Sequence, residues 1–217
     1  NQGHLTIKPR ELTLVSANLS RAYNGEDLTN AEAASLGVTV NANGLLTEDG
    51  WAGTDGATYV FTGRQTLVGN AGNTFTVTAK GGTDLSNYDI KKTEGQLNVT
   101  NRDAKYEVTI TANSLEETYN GTTWSVSGFE NTVEEKGVAV EAGGKTYYVT
   151  GLTSEAGGKN VSDSVALIPY TGTAVVCDAA GNNVSDQFDV KVNQGHLTIK
   201  PRELTLVSAN LSRAYNG

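Results

Sequence analysis

The chain has 217 residues, with 16 Lys and Arg against 24 Asp and Glu, for a formal charge of −8. That balance excludes a nucleic-acid binder, which needs a basic footprint, and a protein docked on anionic lipid. No run approaches the roughly 18–20 continuous apolar residues of a membrane span. A single Cys, Cys177, rules out a disulfide framework within the chain and makes a zinc site a poor fit.

Taken in chain order, the elements read as β throughout. HLTIK (4–8) alternates apolar and polar residues, and PRELTLV follows with no spacer. Asn24-Gly25, Asn43-Gly44, Asp49-Gly50, Asp55-Gly56 and Asn120-Gly121 are tight-turn pairs whose Gly would supply a positive φ. One helical turn is expected, where Thr29 and Glu32 could form a capping box before AEAASL and Gly37 would stop it. In NTFTVTAK, Phe75, Val77 and Ala79 point one way and three Thr the other. GQLNVT (Leu97, Val99), YEVTITA (Val108, Ile110, Ala112) and HLTIK (Leu197, Ile199) repeat the pattern, as in antiparallel sheets wetted on one face. The stretch LTSEAGGKNVSDS beyond Gly151 is polar and Gly-rich and reads as a solvated loop.

Two layers of repetition organise the chain. Residues 1–25 recur unchanged as 193–217, so the repeat period is 192. Without the second copy's three basic residues and one acidic residue, a unit carries 13 basic and 23 acidic residues, net −10. Within the unit, YDIKKTEGQLNVTNR (88–102) aligns with FDVKVNQGHLTIKPR (188–202), with five of fifteen positions identical. GVTVNANG (37–44) aligns with GVAVEAGG (137–144), and AYNG (22–25) with TYNG (118–121). Arg10, Arg102 and Arg202 mark equivalent points. The expected organisation is therefore residues 1–9 as the last strand of a preceding module B, 10–101 as module A, 102–201 as module B, and 202–217 as the first strand of the next A. Modules of about 100 residues have the size of one β-sandwich, with six to eight strands each. The stiff junctions LTIKPRELTL and VTNRDAKYEV favour an elongated array over flexibly tethered beads. With no Met, the sequence reads as an internal piece of something longer.

GRQTLVGNAGNTFTV, followed by NYDIKKTEGQLNVTNR and a strand running into TYNG, resembles the MBG-type (Tyr-Gly-x or Tyr-Asp-Gly) tandem repeats of bacterial surface proteins and adhesins. The resemblance covers both modules and is stronger over 57–102 than over 151–186. It implies tandem immunoglobulin-like β-sandwiches, extracellular exposure at the cell surface, and a role as a stalk or adhesive repeat.

The candidate site is where A and B differ. Module A carries LLTEDGWAGTDG (45–56), which B lacks at that place. Trp51, flanked by Glu48, Asp49 and Asp55, could stack on a sugar face while the carboxylates take its hydroxyls. The structural alternative is that Trp51 folds back over the sandwich as an apolar plug with its N–H meeting a carbonyl. Tyr23, Tyr119 and Tyr215 of the YNG motif read as structural, with a buried ring before a tight turn. Glu48, Asp49 and Asp55, or Asp178, Asp186 and Asp189, could supply oxygens to calcium, but neither run has the alternating Asp/Asn ladder of a calcium loop. No carboxylate pair is set in a recognisable catalytic frame, and no metal or cofactor is expected. The expectation is a non-enzymatic stalk repeat whose partners are neighbouring repeats. The alternatives are a repeat adhering to host glycan or matrix through avidity, and a self-associating surface filament.

Overall fold

The computed structural model describes residues 2–217, and the chain is all-β with several small sheets. It divides into two compact units. Unit 1 runs to Tyr106 and takes in Gly143–Lys145 and Asp186–Phe188, while unit 2 comprises 107–142, 146–185 and 189–217. The first eight strands are β1 (Arg10–Val15), β2 (Leu19–Ala22), β3 (Thr47–Asp49), β4 (Ala57–Phe61), β5 (Gly69–Asn73), β6 (Phe75–Ala79), β7 (Tyr88–Thr93) and β8 (Gly95–Thr100). They form sheets ordered β3-β1-β7, β2-β8-β5 and β4-β6. The first and last sheets close on one core of Leu12, Leu14, Leu45, Phe75 and Tyr88, which gives the unit its sandwich-like character. The alternation expected of NTFTVTAK holds, with Phe75 buried, Val77 and Ala79 half-buried, and Thr76 and Thr78 exposed.

The pairing is not purely antiparallel. β1 runs parallel to β7 from Arg10↔Tyr88 to Val15↔Thr93, and β2 runs parallel to β8 from Leu19↔Leu97 to Ala22↔Thr100. Both ladders hold the same offset of 78 residues, so the two stretches cross from one sheet to the next together. The crossing is pinned by polar contacts. Ser16 Oγ donates to the Asn73 carbonyl at 2.7 Å and accepts from the Gly95 N–H at 2.8 Å, and Asn73 Nδ2 donates to the Ala17 carbonyl at 3.0 Å. Gly95 has no room for a side chain, because a Cβ there would lie 2.2 Å from the Ala17 carbonyl oxygen.

The remaining strands are β9 (Tyr106–Thr111), β10 (Leu115–Thr118), β11 (Trp124–Ser127), β12 (Thr132–Val133), β13 (Gly137–Ala142), β14 (Lys145–Gly158), β15 (Tyr170–Cys177), β16 (Phe188–Asn193) and β17 (Leu197–Lys200). This second group has nine strands, one beyond the expected range. The internal duplication reappears in the pairing. β10 is parallel to β17 from Leu115↔Leu197, as β2 is to β8 from Leu19↔Leu97. Gly195 also repeats Gly95, with a Cβ position 2.0 Å from the Asn113 carbonyl oxygen.

Several features depart from what the sequence suggests. The first half of the polar stretch beyond Gly151 is no loop: residues 152–158 are the second half of β14, paired with β15 over 152–154 and with β11 over 155–158, with Ser154 buried, while residues 159–164 lie outside any strand. Pairing with these two strands in turn engages its backbone, so polar side chains are tolerated where they face out. Residues 37–44 form no strand although their counterparts are β13, because Asn41 Oδ1 accepts from the N–H groups of Asn43 and Leu45 and curls the chain locally. The helical turn shrinks to a single 3-10 turn at Asn30–Glu32, with the Glu32 carboxylate accepting from the Thr29 N–H and Gly37 at φ +75°. Of the five tight-turn pairs, Asp55-Gly56 lacks the positive φ, which falls at Gly53 instead. Residues 2–9 and 201–217, expected to serve neighbouring modules, form no strand within this chain.

Candidate functional site

The segment 45–56 is anchored at both ends. Leu45 is fully buried, and β3 lies antiparallel to β1 with Asp49 opposite Thr13. Gly50 presses on the backbone of β1, where a Cβ would meet the Glu11 carbonyl oxygen at 2.3 Å. At that contact the chain turns and lays Trp51 back over the core, its ring edge-on to Tyr88 at 4.8 Å.

The polar groups close on one another. Trp51 Nε1 donates to Glu48 Oε1 at 3.1 Å and lies 3.3 Å from the Tyr59 hydroxyl, which itself donates to Glu48 Oε1 at 2.7 Å. Glu48 Oε2 accepts from Asn41 Nδ2 at 2.8 Å and Asn43 Nδ2 at 2.7 Å. Burial by itself would raise the Glu48 pKa, but the hydrogen bonds from Asn43, Tyr59, Trp51 and Asn41 outweigh it and hold the carboxyl below its ordinary value. Burial and the adjoining Glu48 push the Tyr59 phenol well up. Asp55 accepts from the Tyr88 hydroxyl at 2.6 Å, and that bond raises the Tyr88 pKa; the same hydroxyl accepts from the Ala52 N–H at 3.1 Å.

Of the four residues proposed from sequence, Glu48 and Trp51 are therefore joined directly. Asp55 reaches the cluster through Tyr88, and Asp49 stands apart, exposed on β3. The sequence reading missed Tyr59, Tyr88, Asn41 and Asn43 as members. Tyr59 stood in the alternating run ATYVF as an inward position, and that was the available signal. Chemically the arrangement is a staple, because its best acceptor is occupied by four internal donors. A cavity of about 400 Å³ opens beside it, lined by Lys8, Arg10, Ala52, Asp55 and Tyr88 among others.

The YNG motif has one construction used twice. The Tyr23 N–H extends the β2–β8 ladder to the Thr100 carbonyl at 2.9 Å, and the Tyr119 N–H extends β10–β17 to Lys200 at 2.9 Å. Asn24 Oδ1 then accepts from the Glu26 N–H, and Asn120 Oδ1 from the Thr122 N–H, each forming an Asx turn before a Gly at φ +77° or +86°. The Tyr23 ring is buried and its carbonyl accepts from Arg102 Nη1 at 3.0 Å; Tyr119 is half-buried and Tyr215 is exposed. In unit 2, half-buried Cys177 ends β15 beside a cavity of about 350 Å³ that Tyr148 and Lys136 also line.

Among the described residues, no cluster of three or more His, Cys, Asp or Glu is placed to hold a metal ion, and no helix is long and apolar enough to cross a membrane. No protein-family model, curated protein or solved structure matches the chain.

Proposed function

We propose that the chain is a repeat of a long bacterial surface stalk, built from tandem immunoglobulin-like modules that carry a distal domain away from the cell. The observation that carries this reading is the unbroken identity of residues 1–25 and 193–217 at a period of 192, with the two β-rich units between them. A chain that repeats in this way adds length by adding units, and its stability remains local plus nearest-neighbour. The net −10 per unit keeps neighbouring stalks apart and soluble. The resemblance to MBG-type surface repeats points the same way. The internal bonding of Trp51 and Glu48 favours a spacer over a glycan-binding repeat, since the groups best suited to a sugar are already used.

Two measurements on proteins of one, two and four units test it. Small-angle scattering should show a maximum dimension that grows linearly with unit number. A glycan and matrix array should stay silent for each, wild type beside Trp51→Ala. Binding that rises with unit number and disappears in a folded Trp51→Ala protein would replace the stalk with an adhesive repeat.

A further inference from the structure

Asn24-Gly25, Asn43-Gly44 and Asn120-Gly121 are the same dipeptide, and the fold treats them differently. The side-chain amide of an Asn can be attacked by the backbone nitrogen of the next residue, and a Gly there has no Cβ to obstruct the approach. Attack is favoured by a Gly N–H free of other acceptors, by donors at the side-chain oxygen where charge develops, and by an amide nitrogen free to leave.

The two YNG turns meet all of these conditions. Asn24 Oδ1 accepts from the Glu26 N–H at 2.9 Å and from Arg21 Nη1. Asn120 Oδ1 accepts from the Thr122 N–H at 2.8 Å and the Thr122 hydroxyl at 2.7 Å. Among the described residues, the N–H groups of Gly25 and Gly121 and the Nδ2 atoms of Asn24 and Asn120 make no hydrogen bond. Asn43 meets none of them, although its side chain is exposed. The Gly44 N–H donates to the Asn41 carbonyl at 3.0 Å, and Asn43 Nδ2 donates to Glu48 Oε2 at 2.7 Å. No donor reaches Asn43 Oδ1 among the described residues, and the Glu48 carboxylate opposes a second negative charge beside it.

We propose that the Asn of each YNG turn, Asn24 and Asn120, is a site of spontaneous backbone chemistry in which the following Gly nitrogen closes on the side chain and the amide becomes a carboxylate. The Gly nitrogen bonds to Asn Cγ and gives its proton to solvent. Charge collects on Oδ1, where the two donors stabilise it. The Cγ–Nδ2 bond then breaks, and Nδ2 takes a proton and leaves as ammonia, so that a succinimide remains. Water that attacks Cγ reopens the ring as Asp. Water that attacks the main-chain carbonyl carbon gives isoaspartate, whose extra methylene runs in the backbone. Each event exchanges a neutral amide for a negative charge. At position 24 that charge faces Arg21, whose Nε also pairs with Glu32 at 3.0 Å, and at position 120 it faces Thr122. This inference does not rest on the stalk reading, since it needs only the geometry of the turns.

The test ages the full chain at mildly alkaline pH and locates each new carboxylate by peptide mass spectrometry, with fragmentation that separates Asp from isoaspartate. In the folded chain Asn24 and Asn120 should each convert more than about 10-fold faster than Asn43. In strong urea, where the turns are gone, the rates should converge. Thr122→Val removes the hydroxyl donor from an exposed turn and should slow Asn120 by about 3-fold or more, with Asn24 unchanged as the internal control. Absence of conversion at Asn24 or Asn120, conversion of Asn43 in the folded chain at their rate, or a Thr122→Val chain that reacts at Asn120 as fast as wild type would overturn the proposal.

Discussion

Leu5 and Ile7 are each 86 % exposed, while Leu197 and Ile199, at the same places in the second copy of the same 25 residues, are 0 % and 1 % exposed. The asymmetry reverses further along, where the first copy is buried from Leu12 to Tyr23 and the second lies bare. Each half of the repeated segment is a strand only where the chain supplies its partner: β10 for residues 197–200, and β7 with β8 for residues 10–22. Local propensity is identical in the two copies, so tertiary pairing decides. Within this chain the first part of the repeat is a strand only in its second copy, and the remainder only in its first.

Matched substitutions in the two copies separate the contribution of context from that of sequence. Leu14→Ala should destabilise unit 1 by about 2–5 kcal/mol, and Leu206→Ala by less than about 0.5 kcal/mol, in denaturant titrations of the full chain. Equal effects would mean that both copies are buried in solution. A second pair works through backbone proximity. Gly195→Ala places a Cβ 2.0 Å from the Asn113 carbonyl oxygen, while nothing lies within 4 Å of the equivalent position at Gly3. The expected costs are about 1–3 kcal/mol or more for Gly195→Ala and near zero for Gly3→Ala, read from the same titrations.

The third prediction moves from the copies to the staple that unit 1 adds beside β1. Glu48→Gln offers one oxygen and an N–H₂ where four donors converge on a carboxylate, and should cost about 1–3 kcal/mol by thermal or chemical melting. Its pH dependence has a definite sign. The folded-state pKa of Glu48 lies below its ordinary 4.5, so its contribution is fully present above that value and is lost as pH falls through the lower folded value. The wild-type midpoint should fall over that acidic range more steeply than that of Glu48→Gln. The smallest contrast is Lys200→Ala against Lys8→Ala. Lys200 pairs with Glu116 at 2.7 Å on an open surface, so the difference should be the smallest of these contrasts and shrink with salt.

Much of this was legible in residue order. Period-two runs located β6, β8, β9 and β17, because a half-buried strand writes its two faces into alternate positions. Asn-Gly after Tyr marked the two Asx turns. An infolded Trp51 was a readable alternative, although its N–H meets the Glu48 carboxylate where a carbonyl was expected. What local sequence could not show was pairing over long range. The parallel ladders of unit 1 join residues 78 apart, and nothing in RELTLV names YDIKKT as its neighbour. The second half of β14 was hidden for a related reason: its polar residues gain strand structure from β15 and then from β11, neither of which lies within a window of a dozen residues. Asn73, buried at the sheet crossing, gave no signal in the sequence, because its partners Ser16 and Ala17 lie more than fifty residues away.

The constant 78-residue offset in unit 1 has a mechanical consequence. Tension that enters at Arg10 and leaves at Thr100 pulls β1 and β2 from their leading end and β7 and β8 from their trailing end, along strands that run the same way. Such a load acts in shear. It falls on the β1–β7 and β2–β8 ladders together instead of opening one rung at a time, and the Ser16–Asn73–Gly95 crossing between them must yield in the same event. Resistance to stretching is thus set by how many rungs must fail at once, a property of strand direction that equilibrium stability does not report.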